Sequence, residues 1–310
     1  MPYGPFTRPG VHSIAMKLRA LATGAIALGA ATIAALPGAA QTKPSTPAYY
    51  VSLGDSYSVG FQPGLGATAG YTGYVAKATH LTLANFGCSG ATSTSIITTV
   101  GCPDNLPHTA GAHLYLNATQ ASAAEAFIRA HRRHIALITV SIGGNDLTSC
   151  AAQTDPVPCV ISALTDLKKN VVTMAAGLRA AAGPKVPLIG LTYPDVILGE
   201  DVYPTRPASP ARNAQAALSV VAFKTVINPA LTKAYASSGG VLVDVTAATG
   251  AYTSPLRTVT LAPYGTLPVS VANVCSLTWF CQEGNIHATT KGYDVIGRLV
   301  VARYALLGKK

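Results

Sequence analysis

Tyr49-Tyr50-Val51-Ser52-Leu53-Gly54-Asp55-Ser56 is an apolar run that stops abruptly on turn residues. Residues 49–53 read as a buried β-strand, and Gly54-Asp55-Ser56 as the turn that leaves it. A serine at the end of a strand, entering a helix, is held by a rigid element yet projects from it. That is one way to present a nucleophilic hydroxyl. Residues 135–142 form a longer apolar run of the kind found in parallel sheets buried on both faces. They lead directly into Gly143-Gly144-Asn145-Asp146.

Outward from these two runs, residues 81–86, 187–191 and 241–245 read as further strands. Helical patterns occupy 74–79, 118–134, 160–182, 208–237 and 287–307, the last starting near the cap candidates Thr289 and Thr290. Pro229 is expected to kink the fourth of them. Residues 64–73 and 98–116 read as loops. Strands alternating with helices predict a three-layer α/β/α fold with a central, mainly parallel sheet. Ligands bind such sheets beyond the carboxyl ends of the strands, so Ser56 and Asn145 are expected on one edge.

The chain has 310 residues, 49% hydrophobic and only 11% charged, which excludes a disordered, highly charged chain. Its formal charge is +10, but the basic residues are scattered. The one cluster, Arg129 with His131 to His134, reads as a solvated helix end. No Lys/Arg stripe interleaves with aromatics, so nucleic acid is not an expected partner. Contact with a membrane or lipid surface is expected to be peripheral at most.

Residues 1–40 read as a signal peptide: Lys17 and Arg19, an apolar stretch over 20–36, then Pro37-Gly38-Ala39-Ala40. Met16 is an alternative start. Residues 41–47 then form a short extended leader, 48–310 a single domain, and the protein is secreted. Six cysteines agree with export. Nearest-neighbour pairing, Cys88–Cys102, Cys150–Cys159 and Cys275–Cys281, is expected among the many possible connectivities, because each pair brackets a loop-like segment. A zinc site is disfavoured, since no short CxxC repeat is present and the histidines are not spaced to complete a ligand set.

Ester cleavage by a serine needs a base and oxyanion donors. His287 is the natural base for Ser56, because imidazole titrates near neutral pH. Donors are available in the backbone N–H of Ser56, the backbone N–H of Gly90 and the side-chain amide of Asn145. No Gly-x-Ser-x-Gly elbow surrounds a candidate nucleophile, which argues against an α/β-hydrolase.

Four blocks in order carry a specific likeness: Gly54-Asp55-Ser56, Asn85-Phe86-Gly87-Cys88-Ser89-Gly90-Ala91-Thr92, Gly143-Gly144-Asn145-Asp146, and Ile286-His287 followed by Lys291-Gly292-Tyr293. In them the chain resembles the SGNH (GDSL-type) serine hydrolase superfamily, with Tyr57 where leucine is commoner. It looks most like secreted actinobacterial lipases and esterases, which share the three cysteine pairs and a Trp-Phe-Cys segment before the histidine. The resemblance implies a flavodoxin-like sheet, with Ser56 as nucleophile and His287 as base. It implies Ser56, Gly90 and Asn145 as the oxyanion hole, and neither cofactor nor metal.

One departure stands out. The family usually places an aspartate three residues before the histidine, and here that position is Gly284. The Gly284 backbone carbonyl is the expected orienting group for His287, with Glu283 as a second candidate. The function expected is a monomeric, secreted carboxylic-ester hydrolase, a Ser-His dyad or triad acting through an acyl-enzyme on a small-molecule or lipid ester. The alternatives are a catalytically silent exported module binding glycans or lipids, and an acetyl-glycan deacetylase. Residues 247–280 are expected to line the acyl side.

Overall fold

The computed structural model describes residues 47–102, 111–151, 153–203 and 209–308. The expected signal peptide, with Met16, and residues 41–46 of the expected leader lie outside the described residues.

Five strands, β1 (Tyr49–Gly54), β2 (Thr82–Asn85), β3 (Ile135–Ser141), β4 (Leu188–Leu191) and β5 (Val241–Val243), form one sheet. The order is β2-β1-β3-β4-β5 and every pairing is parallel. The chain leaves β1 for β2 on one side, then crosses to β3 on the other. The crevice between the ends of β1 and β3 is therefore the topological switch point, where ligands bind in open α/β sheets. Ser56 follows β1 and Asn145 follows β3.

Alternate residues of β1 face opposite layers. Val51 and Leu53 pack with helices α3 (Gln120–Ala130), α5 (Pro156–Ala182) and α7 (Asn228–Ala236). Tyr50 packs with α2 (Gly70–Thr79) and α9 (Thr290–Leu307). Helices on both faces explain why these strands are continuously apolar rather than alternating. The helix α5 begins four residues before the sequence pattern predicts: Asp155 accepts a hydrogen bond from the Val157 N–H, and Pro156 occupies the first turn.

The kink expected at Pro229 takes the form of a π turn. Helix α6 (Pro210–Ala222) runs into α7 through Phe223–Ile227, where the Asn228 N–H reaches back five residues to the Phe223 carbonyl. Pro229 has no N–H to offer the Thr225 carbonyl, and its ring would crowd that oxygen. The wider turn removes both conflicts.

Residues 247–280, expected to line the acyl side, fold into regular elements. They hold a two-stranded hairpin (Thr258–Leu261 with Gly265–Pro268) and α8 (Val269–Leu277). Leu267, Val271, Ala272 and Val274 are buried against Leu198 and Phe280 in a third core cluster. These four side chains serve packing. The structure joins Cys88 to Cys102, Cys150 to Cys159 and Cys275 to Cys281, with Cα separations of 5.8, 5.5 and 4.9 Å.

Candidate active site

Gly54 ends β1 at φ +138°, and a Cβ built there would lie 2.1 Å from the Ser141 carbonyl oxygen. Only glycine fits this close approach of two strand ends. The buried Gln120 side chain takes both Gly54 backbone groups, accepting from its N–H at 2.7 Å and donating to its carbonyl at 3.0 Å. Asp55 then caps the short helix α1 (Ser56–Val59). Its Oδ1 accepts from the Tyr57 N–H at 2.9 Å and its Oδ2 from the Tyr193 hydroxyl at 2.5 Å. Burial raises the Asp55 pKa to about 7, opposed by these two hydrogen bonds.

Ser56, the first residue of α1, has its Oγ 2.8 Å from His287 Nε2. On the other side of the ring, Nδ1 lies 2.7 Å from Asn285 Oδ1. The same oxygen accepts the His287 backbone N–H at 3.0 Å. A backbone N–H can only donate, so the Asn285 atom facing it is the carbonyl oxygen, not the amide nitrogen. We therefore assign the proton to Nδ1. Nε2 is left bare, facing the serine hydroxyl as an acceptor. That is the tautomer a general base requires.

This geometry corrects the expected orienting group. Among the described hydrogen bonds, neither the Gly284 carbonyl nor the Glu283 carboxylate meets the ring. Gly284 instead ends a one-turn helix in the left-handed region (φ +65°), and Glu283 is exposed. The left-handed residue turns the chain so that Asn285, one residue later, closes an Asx turn over His287. An asparagine two residues before a histidine was a readable signal for that turn.

Aromatic rings enclose the imidazole. Phe61 lies 4.6 Å away between centroids, and Tyr57 lies 6.0 Å away, roughly parallel. The Tyr57 hydroxyl donates to the Ile286 carbonyl at 2.6 Å, tying the helix that starts with Ser56 to the loop that carries His287. Burial lowers the His287 pKa to about 4.

The two remaining blocks flank the serine turn. The Cys88 N–H bonds the Gly54 carbonyl at 2.9 Å, and the Asp55 N–H bonds the Ser141 carbonyl at 3.0 Å. Asn145 lies in the first turn of α4 (Gly144–Ala151), and its Nδ2 donates to the Ala91 carbonyl at 2.8 Å. Asp146 accepts from the Ser93 N–H at 2.9 Å and from its hydroxyl at 2.5 Å. The second and third blocks are thus bonded to each other. Gly90 has φ +75°, and a Cβ there would meet nothing within 4 Å, so the space on that side of it is open. Among the described residues no group of three or more His, Cys, Asp or Glu side chains could hold a metal ion.

Residues 52–295 match the model of the GDSL-like Lipase/Acylhydrolase family. No curated protein matches the chain. Among solved structures, the chain is similar to a G-D-S-L family protein from Desulfitobacterium hafniense DCB-2, at 11% identity and a TM-score of 0.40, over 82% of this chain and 98% of that one. It is also similar to a carbohydrate esterase whose active site displays divergent catalytic and non-catalytic binding functions (13% identity, TM-score 0.42, 87% of this chain and 67% of that one). A third similar structure is the salicylyl-acyltransferase SsfX3 from a tetracycline biosynthetic pathway (12% identity, TM-score 0.37, 86% and 57%).

Proposed function

The chain belongs to the GDSL-like Lipase/Acylhydrolase family, and from that premise we propose that it is a secreted esterase cleaving carboxylic esters through an acyl-enzyme. The 2.8 Å separation of Ser56 Oγ from His287 Nε2 supports this most directly.

In the proposed reaction Ser56 Oγ attacks the ester carbonyl carbon while Nε2 takes its proton. The oxyanion accepts hydrogen bonds from the backbone N–H groups of Ser56 and Gly90 and from the Asn145 amide. One such donor is commonly worth about 3–4 kcal/mol in the transition state. The tetrahedral intermediate collapses, and the departing alcohol takes the proton from Nε2. Water, deprotonated by the same nitrogen, then attacks the acyl-enzyme, and Ser56 leaves with the proton returned to it. Asn285 Oδ1 holds Nδ1–H throughout, so the group is a Ser-His-Asn triad in which the third member sets tautomer and ring orientation. No cofactor enters these steps.

Export through residues 1–40, with 48–310 as one monomeric hydrolase domain, completes the proposal. The three disulfides are compatible with an extracellular protein. The test is hydrolysis of p-nitrophenyl esters by the exported protein beside Ser56→Ala and His287→Ala. Each variant is expected to lose about 10³-fold or more in kcat/KM. Native turnover by the Ser56→Ala protein would overturn the assignment.

A further inference from the structure

A groove of about 410 Å³ opens beside Gly144, within the size range of small-molecule sites. Leu147, Thr148, Val157 and Ile161, from α4 and the first turns of α5, form one wall. Leu218, Ala222, Phe223 and Val226, from α6 and the π turn, form the other. None of its lining residues is Asp, Glu, Lys, Arg or His. Several are apolar yet open to solvent, Ile161 at 61% and Val226 at 46%.

The inner end of the groove lies beside the site. Gly144 directly precedes Asn145, and a Cβ built on Gly144 would lie 3.1 Å from the Tyr193 ring, which also lines the groove. That ring packs edge-on against Tyr57 at 4.9 Å, and its hydroxyl holds Asp55. One aromatic ring therefore separates the groove from the helix that begins with Ser56.

Three connections hold the walls in place. Cys150–Cys159 joins the end of α4 to the first turn of α5, so the two pieces of one wall are linked covalently. The π turn that Pro229 imposes aims Phe223 and Val226 into the other. Ser219 donates to the fully buried Asp195 at 2.9 Å, fastening α6 to the 194–197 segment beneath.

Thr148, Gln215, Ser219 and Tyr193 are the few polar side chains in mostly apolar walls, so a sugar or a charged headgroup would leave most of its polar atoms unpaired there. A methylene chain would not. On the premise that the site cleaves esters, we propose that this groove binds the acyl chain, so that the preferred substrates carry a linear, uncharged acyl group of medium or greater length.

The experiment uses the protein recovered after export of the full chain, with Ile161→Asp and Val226→Asp. Both side chains are exposed, so the fold is expected to survive. p-Nitrophenyl acetate, butyrate and octanoate give the chain-length profile. In parallel, decanoate binding to the Ser56→Ala protein is read by displacement of a fluorescent fatty acid. Native kcat/KM is expected to rise roughly threefold per methylene from butyrate to octanoate. Each aspartate variant should lose about tenfold more on octanoate than on acetate, and bind decanoate about tenfold more weakly. A flat or falling profile, or equal loss on acetate and octanoate, overturns the proposal. So does an unchanged profile accompanied by loss of binding to neutral phospholipid vesicles, which would make this face a membrane-docking surface. Decanoate binding that Ile161→Asp abolishes, in a protein that turns over no ester, would uphold the groove while ending the hydrolase reading.

Discussion

Asn285 Oδ1 accepts two hydrogen bonds from one residue, His287: from the backbone N–H at 3.0 Å and from ring Nδ1–H at 2.7 Å. The first makes the second unambiguous, because an oxygen fixed by a main-chain donor cannot exchange places with the amide NH₂. In the proposed reaction the asparagine performs the geometric part of a triad carboxylate's task without its charge. That has two consequences. The tautomer is set, and among the described residues no neighbouring anion stabilises the imidazolium.

Removing that oxygen frees the ring to adopt the other tautomer and to rotate. Asn285→Ala is expected to lower kcat about 100-fold, nearly 3 kcal/mol, with KM for a short ester little changed. Asn285→Asp keeps an acceptor and should retain most of kcat at neutral pH. Steady-state kinetics of the two variants check this. Equal losses in both would mean that the residue supports only the loop fold.

The pH profile follows from burial. A buried imidazole resists protonation, which lowers the His287 pKa from the usual 6.5 to about 4. In the proposed reaction the neutral ring is the base, so kcat/KM should rise with pH to a half-maximum at about 4 and stay high through neutrality. Asn285→Asp places an anion beside Nδ1, stabilises the charged ring, and should move this limb upward by about one unit or more. A native limb near 6.5, unmoved in the aspartate variant, would contradict the electrostatic picture.

Tyr57 has a separate mechanical role. Its hydroxyl holds the Ile286 carbonyl at 2.6 Å while its ring packs against His287. Tyr57→Phe keeps the ring and removes the tether, leaving a partly buried carbonyl without its donor. The expected effects are a stability loss of about 1–2 kcal/mol, read by denaturant titration, and a several-fold drop in kcat. Unchanged stability would show that the tether contributes nothing.

Asn145→Ala removes one proposed oxyanion donor and also the bond to the Ala91 carbonyl. Expected is a 10²–10³-fold fall in kcat with modest change in KM. A variant that instead loses only substrate affinity would place Asn145 in ground-state binding.

Much of the layout was legible in the sequence, for identifiable reasons. Residues 49–53 and 135–142 read as strands because helices cover both faces of the sheet, leaving no polar alternation to confuse them. Ser56 and Asn145 fell on one edge because each directly follows such a strand. The start of α5 was missed because Pro156, Pro158 and Cys159 look like a loop. Asp155 followed by Pro156 was in fact a helix-start signal. Gln120 lies 66 residues from Gly54, whose backbone it holds, and no local pattern announces that pairing. Asn285 stands one position after the place where a carboxylate is usual in the family, and its Asx turn needs only the adjacent left-handed Gly284. In residues 247–280 apolar composition does not distinguish a packed helix from a groove wall. That distinction depends on which distant elements cover each face.

The assignment of Ser56 as nucleophile is tested most directly by treating the exported protein with a fluorophosphonate and mapping the adduct by peptide mass spectrometry. Expected is one adduct per chain, on Ser56, abolished in Ser56→Ala and strongly slowed in His287→Ala. Stoichiometric labelling at any other residue, or labelling of Ser56 at an unchanged rate without His287, would contradict it.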